Sequence, residues 1–182
     1  LTNYWLFIEL PSNASLDHLD GFLRDVWLEC CGHLSEFQIA EETFGGSGDD
    51  DFFGFDEMLG DELDELDEGS LDVPLDDVLK VGDAFTYDYD FGSTTSLTLK
   101  FVAAYPSVFS KTDINEVVRL VARNDPPEIL CECGEPATEI DTAQGECFCK
   151  KCFDKSDLDE SMSLPVVNSP RMGVCAYTGS ED

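Results

Sequence analysis

The sequence predicts an α+β fold: an antiparallel sheet packed by helices, followed by a small zinc-ribbon-like module. Three observations carry this. Leu16, Leu19, Phe22, Leu23, Val26 and Trp27 recur at helical spacing, which gives a helix one apolar stripe to lay on a sheet. Phe85-Thr86-Tyr87-Asp88-Tyr89-Asp90-Phe91 alternates strictly between aromatic and polar residues, the period of a strand with one buried face. Cys131, Cys133, Cys147, Cys149 and Cys152, five of the eight cysteines, then crowd into one short stretch.

Taken in order, Tyr4 to Leu10 reads as a strand that Pro11 ends. Ser15 is a good N-cap for the helix that follows, and Asp17 suits the positive end of its dipole. Gly32 breaks the chain, and Leu34-Ser35-Glu36-Phe37-Gln38-Ile39 alternates as a second strand. Between Glu41 and Asp72 acidic residues dominate and Lys and Arg are absent. This stretch, about 41–72, reads as an acidic loop inserted into the 1–125 domain, with Phe44, Phe52, Phe53 and Phe55 available to pin it. Asp49-x-Asp51-x-x-Gly54 echoes the start of a calcium loop, but Phe53 and Gly60 stand where ligands are required. Pro74 opens a short helix through Leu75, Val78 and Leu79. The alternating strand turns at Gly92-Ser93 and returns from Thr94 to Val102. Val117 to Ala122 is read as a strand from its β-branched content, and Asn124-Asp125-Pro126-Pro127 closes the domain.

The totals set limits. A chain of 182 residues holds one ordinary domain and an appendage, and 42% hydrophobic residues with 13 Phe suffice for a core. Forty acidic against ten basic residues give a formal charge of −30. Such a surface repels phosphate backbones, so direct nucleic-acid binding is not expected, whereas salt-tolerant solvation or steering toward a basic partner is. No apolar run is long enough for a membrane helix, and the opening residues do not resemble a secretion signal. With metal-like cysteine spacing, the expected compartment is the reducing cytoplasm.

Within the module, 126–160, Cys131-x-Cys133-Gly134 and Cys149-x-x-Cys152 can supply four thiolates to one tetrahedral zinc. Gly134 permits the turn that the first pair requires, and Lys150, Lys151 and Lys155 offset the thiolate charge. Cys147 can stand in for Cys149; spacing alone does not choose. Four thiolates make a closed, structural site, and a segment this short needs such a tie. Elsewhere Cys30-Cys31 reads as a pair of small buried apolar groups, and His33 as a structural histidine rather than half of a site with Glu36. Asp88 and Asp90, about 7 Å apart on one strand face, read as a solvated face rather than a catalytic pair. In the 161–182 tail, Asn168 and Arg171 stand among turn residues, suited to docking on the body or contacting a partner.

His33-Leu34-Ser35-Glu36-Phe37, the stretch from Phe85 to Thr95 and the tail from Leu164 to Cys175 together resemble one family. It is the family named after the third open reading frame of an Ri plasmid, also labelled transposon-passenger proteins. The resemblance implies an α+β domain of antiparallel strands packed by helices and, in one subset, a C-terminal cysteine module. It implies no activity. Many members carry Trp-Arg after the first strand and Asp-Asp-Trp-x-His after Tyr-Asp-Phe-Gly; here Pro11-Ser12 and Ser93-Thr94-Thr95-Ser96 occupy those places.

The function expected is therefore that of a non-enzymatic, zinc-binding accessory protein engaging a basic protein or ribonucleoprotein surface. Two alternatives stand beside it: a hydrolase with a cleft beside the 85–102 hairpin, and an acidic nucleic-acid mimic using the stretch from Asp49 to Asp72. No Ser-His-Asp arrangement, phosphate loop or dinucleotide fingerprint supports the enzyme.

Overall fold

Ser15 starts the principal helix by a reciprocal bond rather than by its hydroxyl alone: its backbone N–H donates to His18 Nδ1 at 3.3 Å, and its Oγ lies 2.6 Å from the same nitrogen. In this computed structural model, which describes residues 4–45, 69–106, 118–158 and 160–180, that helix is α1, Leu16–Leu23. It continues as one widened π turn over Arg24–Leu28. Leu16, Leu19, Leu23, Trp27 and Leu28 are all buried, so the stripe read from the sequence is the face that packs.

It packs on a four-stranded antiparallel sheet of β2 (Ser35–Ile39), β3 (Glu42–Gly45), β4 (Ala84–Tyr89) and β5 (Thr95–Lys100), in the order β3-β2-β4-β5. Period-two alternation sends Phe37 and Ile39 of β2, with Phe85, Tyr87 and Tyr89 of β4, to the helix side. Register aligns Phe37 with Tyr87 across the strands, and their rings lie 4.7 Å apart between centroids. A separate ribbon joins β1 (Leu6–Glu9) to β6 (Arg119–Arg123), antiparallel, with an irregularity between Phe7 and Ile8.

The stretch read as acidic loop begins with structure. β3 lies inside it because Phe44 is buried and Thr43 and Gly45 pair with β2. Gly45 N donates to Gly69 O and Gly69 N to Thr43 O, so the chain leaves and returns at one place on the sheet edge. Residues 70–79 then run back along the start of α1, Leu16 N bonding to Val73 O and Leu75 N to Ala14 O, and form α2 (Leu75–Val78). The calcium-like stretch from Asp49 to Gly60, and the acidic residues proposed for mimicry up to Glu68, lie outside the described residues.

The hairpin turn is longer than Gly92-Ser93. Its last pair is Tyr89 with Thr95, so five residues, 90–94, make the bend. Asp90 takes φ 64° and accepts from Gly92 N and Ser93 N, an arrangement in which its own side chain holds the turn.

The cysteine-rich part forms a third antiparallel sheet, in the order β8-β7-β9, from β7 (Glu139–Asp141), β8 (Cys147–Phe148) and β9 (Ser163–Pro165), with helix α3 at Lys150–Phe153. β9 comes from residues the sequence assigns to the tail, so module and tail share a sheet. Among the described residues no helix is long and apolar enough to cross a membrane.

Candidate metal centre

Two tight turns face one another at the C-terminal sheet. In the first, Gly134 N donates to Cys131 O at 2.8 Å, and Gly134 holds φ +87°, a value a side chain would strain. In the second, Cys149 stands extended just before α3, and Cys152 N donates to its carbonyl at 3.0 Å. The outcome is that one sulfur each from Cys131, Cys133, Cys149 and Cys152 lies within 4.8 Å of the other three. Cys147, on β8, is outside that group.

The spacing suits a shared ion. A tetrahedral zinc with Zn–S about 2.3 Å holds its sulfurs about 3.8 Å apart. Cys133 Sγ and Cys149 Sγ are 3.6 Å apart. Backbone N–H groups of Cys133 and then Cys149 are directed at Cys131, and they pull its thiol down to about 6. Hydrogen bonding to Cys133 first, then Cys149 and Cys131, pushes Cys152 up to about 12. Cys131 and Cys149 are buried, whereas Cys133 is exposed. A shallow depression lined by Cys131, Glu132, Cys133, Phe148 and Cys152 opens there.

Asn168 and Arg171 answer differently. Arg171 is fully buried, and its Nη2 donates to Asp90 Oδ2 at 2.6 Å. Its Nη1 donates to Ser93 O and Thr95 Oγ1, both at 3.1 Å, and its guanidinium carbon sits 4.8 Å from the centroid of the Tyr89 ring. Burial is the largest influence and opposes its charge, yet the hydrogen bonds and charges of Asp90 and Cys30 together outweigh it and raise its pKa; the bond to Arg171 is the main cause that lowers Asp90. The guanidinium is thus turned into the body, on the docking side of the two expectations for Arg171. Asn168 Oδ1 accepts from Asn124 Nδ2 at 2.8 Å, its backbone oxygen accepts from Arg123 Nη2 at 3.0 Å, and Ser169 Oγ donates to Trp27 O at 2.7 Å. The tail from 168 to 171 is thus stitched to the ends of α1, β4 and β6.

Two further readings change. Asp88 and Asp90 do not form a pair on one face, because β4 ends at Tyr89 and Asp90 turns away to Arg171. Cys30 and Cys31 are not buried apolar groups: Cys30 is half-buried and Cys31 exposed, since the backbone becomes extended at Glu29 and turns at Gly32, φ +70°. With His33 and Cys175 they make a second close group of ligand-type side chains. That Cys175 could approach Cys30-Cys31 is readable from the sequence, but its joining with His33 is not, because Cys175 is 144 residues from Cys31; the signal at hand was Cys-Cys-x-His on one turn.

Asp20 was missed too. It is buried, accepts from Ser35 Oγ (2.6 Å), Tyr87 Oη (2.7 Å) and Arg24 Nε (2.6 Å), and Arg24 continues to Glu29 and Ser35. Glu29 Oε1 accepts from Gly32 N at 2.6 Å, so this network braces the Cys30–His33 turn from below.

An α+β body of antiparallel sheets, carrying a group of four cysteines beyond it, is the class of protein that this geometry defines. A family profile described as "Plasmid pRiA4b ORF-3-like protein" matches residues 3–135, and the chain belongs to that family. The match takes in the body together with Cys131 and Cys133, and stops before Cys149 and Cys152. None of the curated proteins and none of the solved structures compared matches the chain.

Proposed function

We propose that this protein is a non-enzymatic accessory protein whose C-terminal part is a zinc-ribbon-like module, held by Zn²⁺ on Cys131, Cys133, Cys149 and Cys152. The observation that carries the reading is the convergence of those four sulfurs within 4.8 Å of one another from two separate turns. Four thiolates fill a tetrahedral ion and leave no position for substrate, so the metal holds shape rather than performs chemistry. The sheet around it needs that help: β7 and β8 pair over only two residues, and apart from the cysteines Ile140 and Phe153 are the buried apolar side chains there.

The chain as a whole carries a formal charge of −30, which steers it toward a basic protein, or toward the protein face of a ribonucleoprotein, and away from bare nucleic acid. Co-purification tests this. A tagged chain isolated at low salt is expected to bring a stable basic partner, released as ionic strength rises, and to lose it when a chelator strips the module. Recovery of the chain without any partner under those conditions contradicts the interaction role.

A further inference from the structure

Cys30, Cys31, His33 and Cys175 bring four ligand atoms within 4.8 Å of one another, a group that shares no residue with the four-cysteine one. Two edges of this second cluster can be compared with a metal site. Cys31 Sγ is 3.8 Å from Cys175 Sγ, and Cys175 Sγ is 3.5 Å from His33 Nε2. A tetrahedral ion with Zn–S about 2.3 Å and Zn–N about 2.0–2.1 Å sets a sulfur–sulfur edge of about 3.8 Å and a sulfur–nitrogen edge of about 3.6 Å. Both edges agree, although the two are of different chemical kinds.

The surroundings hold this arrangement from both sides. On the body side, Gly32 (φ +70°) makes the turn between Cys31 and His33, and Glu29 fixes it by accepting from Gly32 N. On the tail side, Cys175 itself has φ 55°, a backbone state that non-glycine residues adopt only when something fixes it. Four residues before it, the buried Arg171 is locked to Asp90, Ser93 and Thr95, and its Nη2 also lies 3.5 Å from Cys30 Sγ. That guanidinium is placed to offset thiolate charge. Asp90 Oδ2 lies 3.7 Å from His33 Nε2 but is engaged by Arg171, which keeps it out of the set of four.

We propose that Cys30, Cys31, His33 and Cys175 form a second tetrahedral divalent-metal site, of the zinc class, that clamps the tail onto the end of α1. Three sulfurs and one imidazole are a soft, closed donor set that suits zinc rather than calcium or magnesium. Because the tie joins Cys31 to Cys175, 144 residues away, it closes a long loop and fixes the C-terminal sheet, through β9 and residues 166–175, to the body. The site stands independently of the four-cysteine group.

Thiol mapping tests it on the full chain. The protein, reduced and loaded with Zn²⁺, is treated with an alkylating reagent, and each cysteine is read by peptide mass. Cys31 and Cys175 are exposed, so as free thiols they would be labelled at once. The expected result is that Cys30, Cys31 and Cys175 stay unlabelled until a strong chelator is added, and then react together. Prompt labelling of Cys31 and Cys175 in the zinc-loaded chain overturns the site. So does their recovery as a disulfide indifferent to chelator, since that bond needs no metal. A cobalt(II) titration gives a second reading: the wild type should hold one more equivalent than Cys175→Ser, and equal uptake overturns the proposal. Because Cys131, Cys133, Cys149 and Cys152 are mapped separately, failure at either site is told apart from failure at the other.

Discussion

Tyr87 has no exposed surface, and its hydroxyl donates to the Asp20 carboxylate, which also takes bonds from Ser35 and Arg24. Burial first, and the nearby Asp20 charge second, push its pKa far above the ordinary 10.0. The sign of the consequence follows from proton counting: above pH 10 the unfolded chain loses the Tyr87 proton while the folded one keeps it. The stabilisation is therefore complete below pH 10 and shrinks as pH rises, by up to about 1.4 kcal/mol per pH unit for this one group. Tyr87→Phe is expected to cost about 1–2 kcal/mol at neutral pH, through the lost bond to Asp20. Urea midpoints measured at pH 8 and pH 11 should show that penalty narrowing as pH rises, and a penalty independent of pH would contradict the account. Tyr89, raised to about 12 mainly by burial, keeps a residual alkaline slope in the variant. At this scale the sequence shows that Tyr87 faces inward, from the alternation alone. It does not show Asp20, since one acid on a helix looks the same whether it is solvated or accepts from three side chains.

Among the elements, those with a strong local period are legible from the residues. α1 and β4 are read correctly because their apolar stripes repeat several times, and the periodicity of each is fixed by its own backbone geometry. β3 is not, because its signal is one buried phenylalanine among acids, and only pairing with β2 makes it a strand. The same limit hides the partner of β6, which joins β1 across most of the chain rather than the main sheet. β3 also yields a test. A Cβ on Gly45, φ +94°, would lie 2.6 Å from Ser35 O, whereas one on Gly82, φ +104°, would meet nothing within 4 Å. Gly82→Ala bears only the backbone strain, about 1–3 kcal/mol. Gly45→Ala bears that strain and also wedges β3 from β2, so its urea midpoint should fall clearly below that of Gly82→Ala. Equal midpoints would mean that β3 is not seated on the sheet edge as described.

For the whole molecule, charge and cysteine chemistry divide the work. The body has a core of its own, built from α1 and the four-stranded sheet, and belongs to a family whose profile spans it. The C-terminal part has few buried apolar side chains and depends on ties: β9 on β7, Arg171 on Asp90, and the converging thiols. Much of the four-cysteine group was legible, because spacing within one turn constrains where sulfurs can go. The sequence suggests that the tail docks but not which residues seat it, because a buried guanidinium and an exposed one are the same letter. The central claim is that one ion sits on Cys131, Cys133, Cys149 and Cys152 and holds this part in shape. Zinc content of the natively purified chain, compared with that of the Cys131→Ser, Cys149→Ser double variant, tests it most directly. The account predicts that the variant carries one zinc fewer per chain and that its module becomes open to protease; zinc-free native protein, or equal content in both, would contradict it.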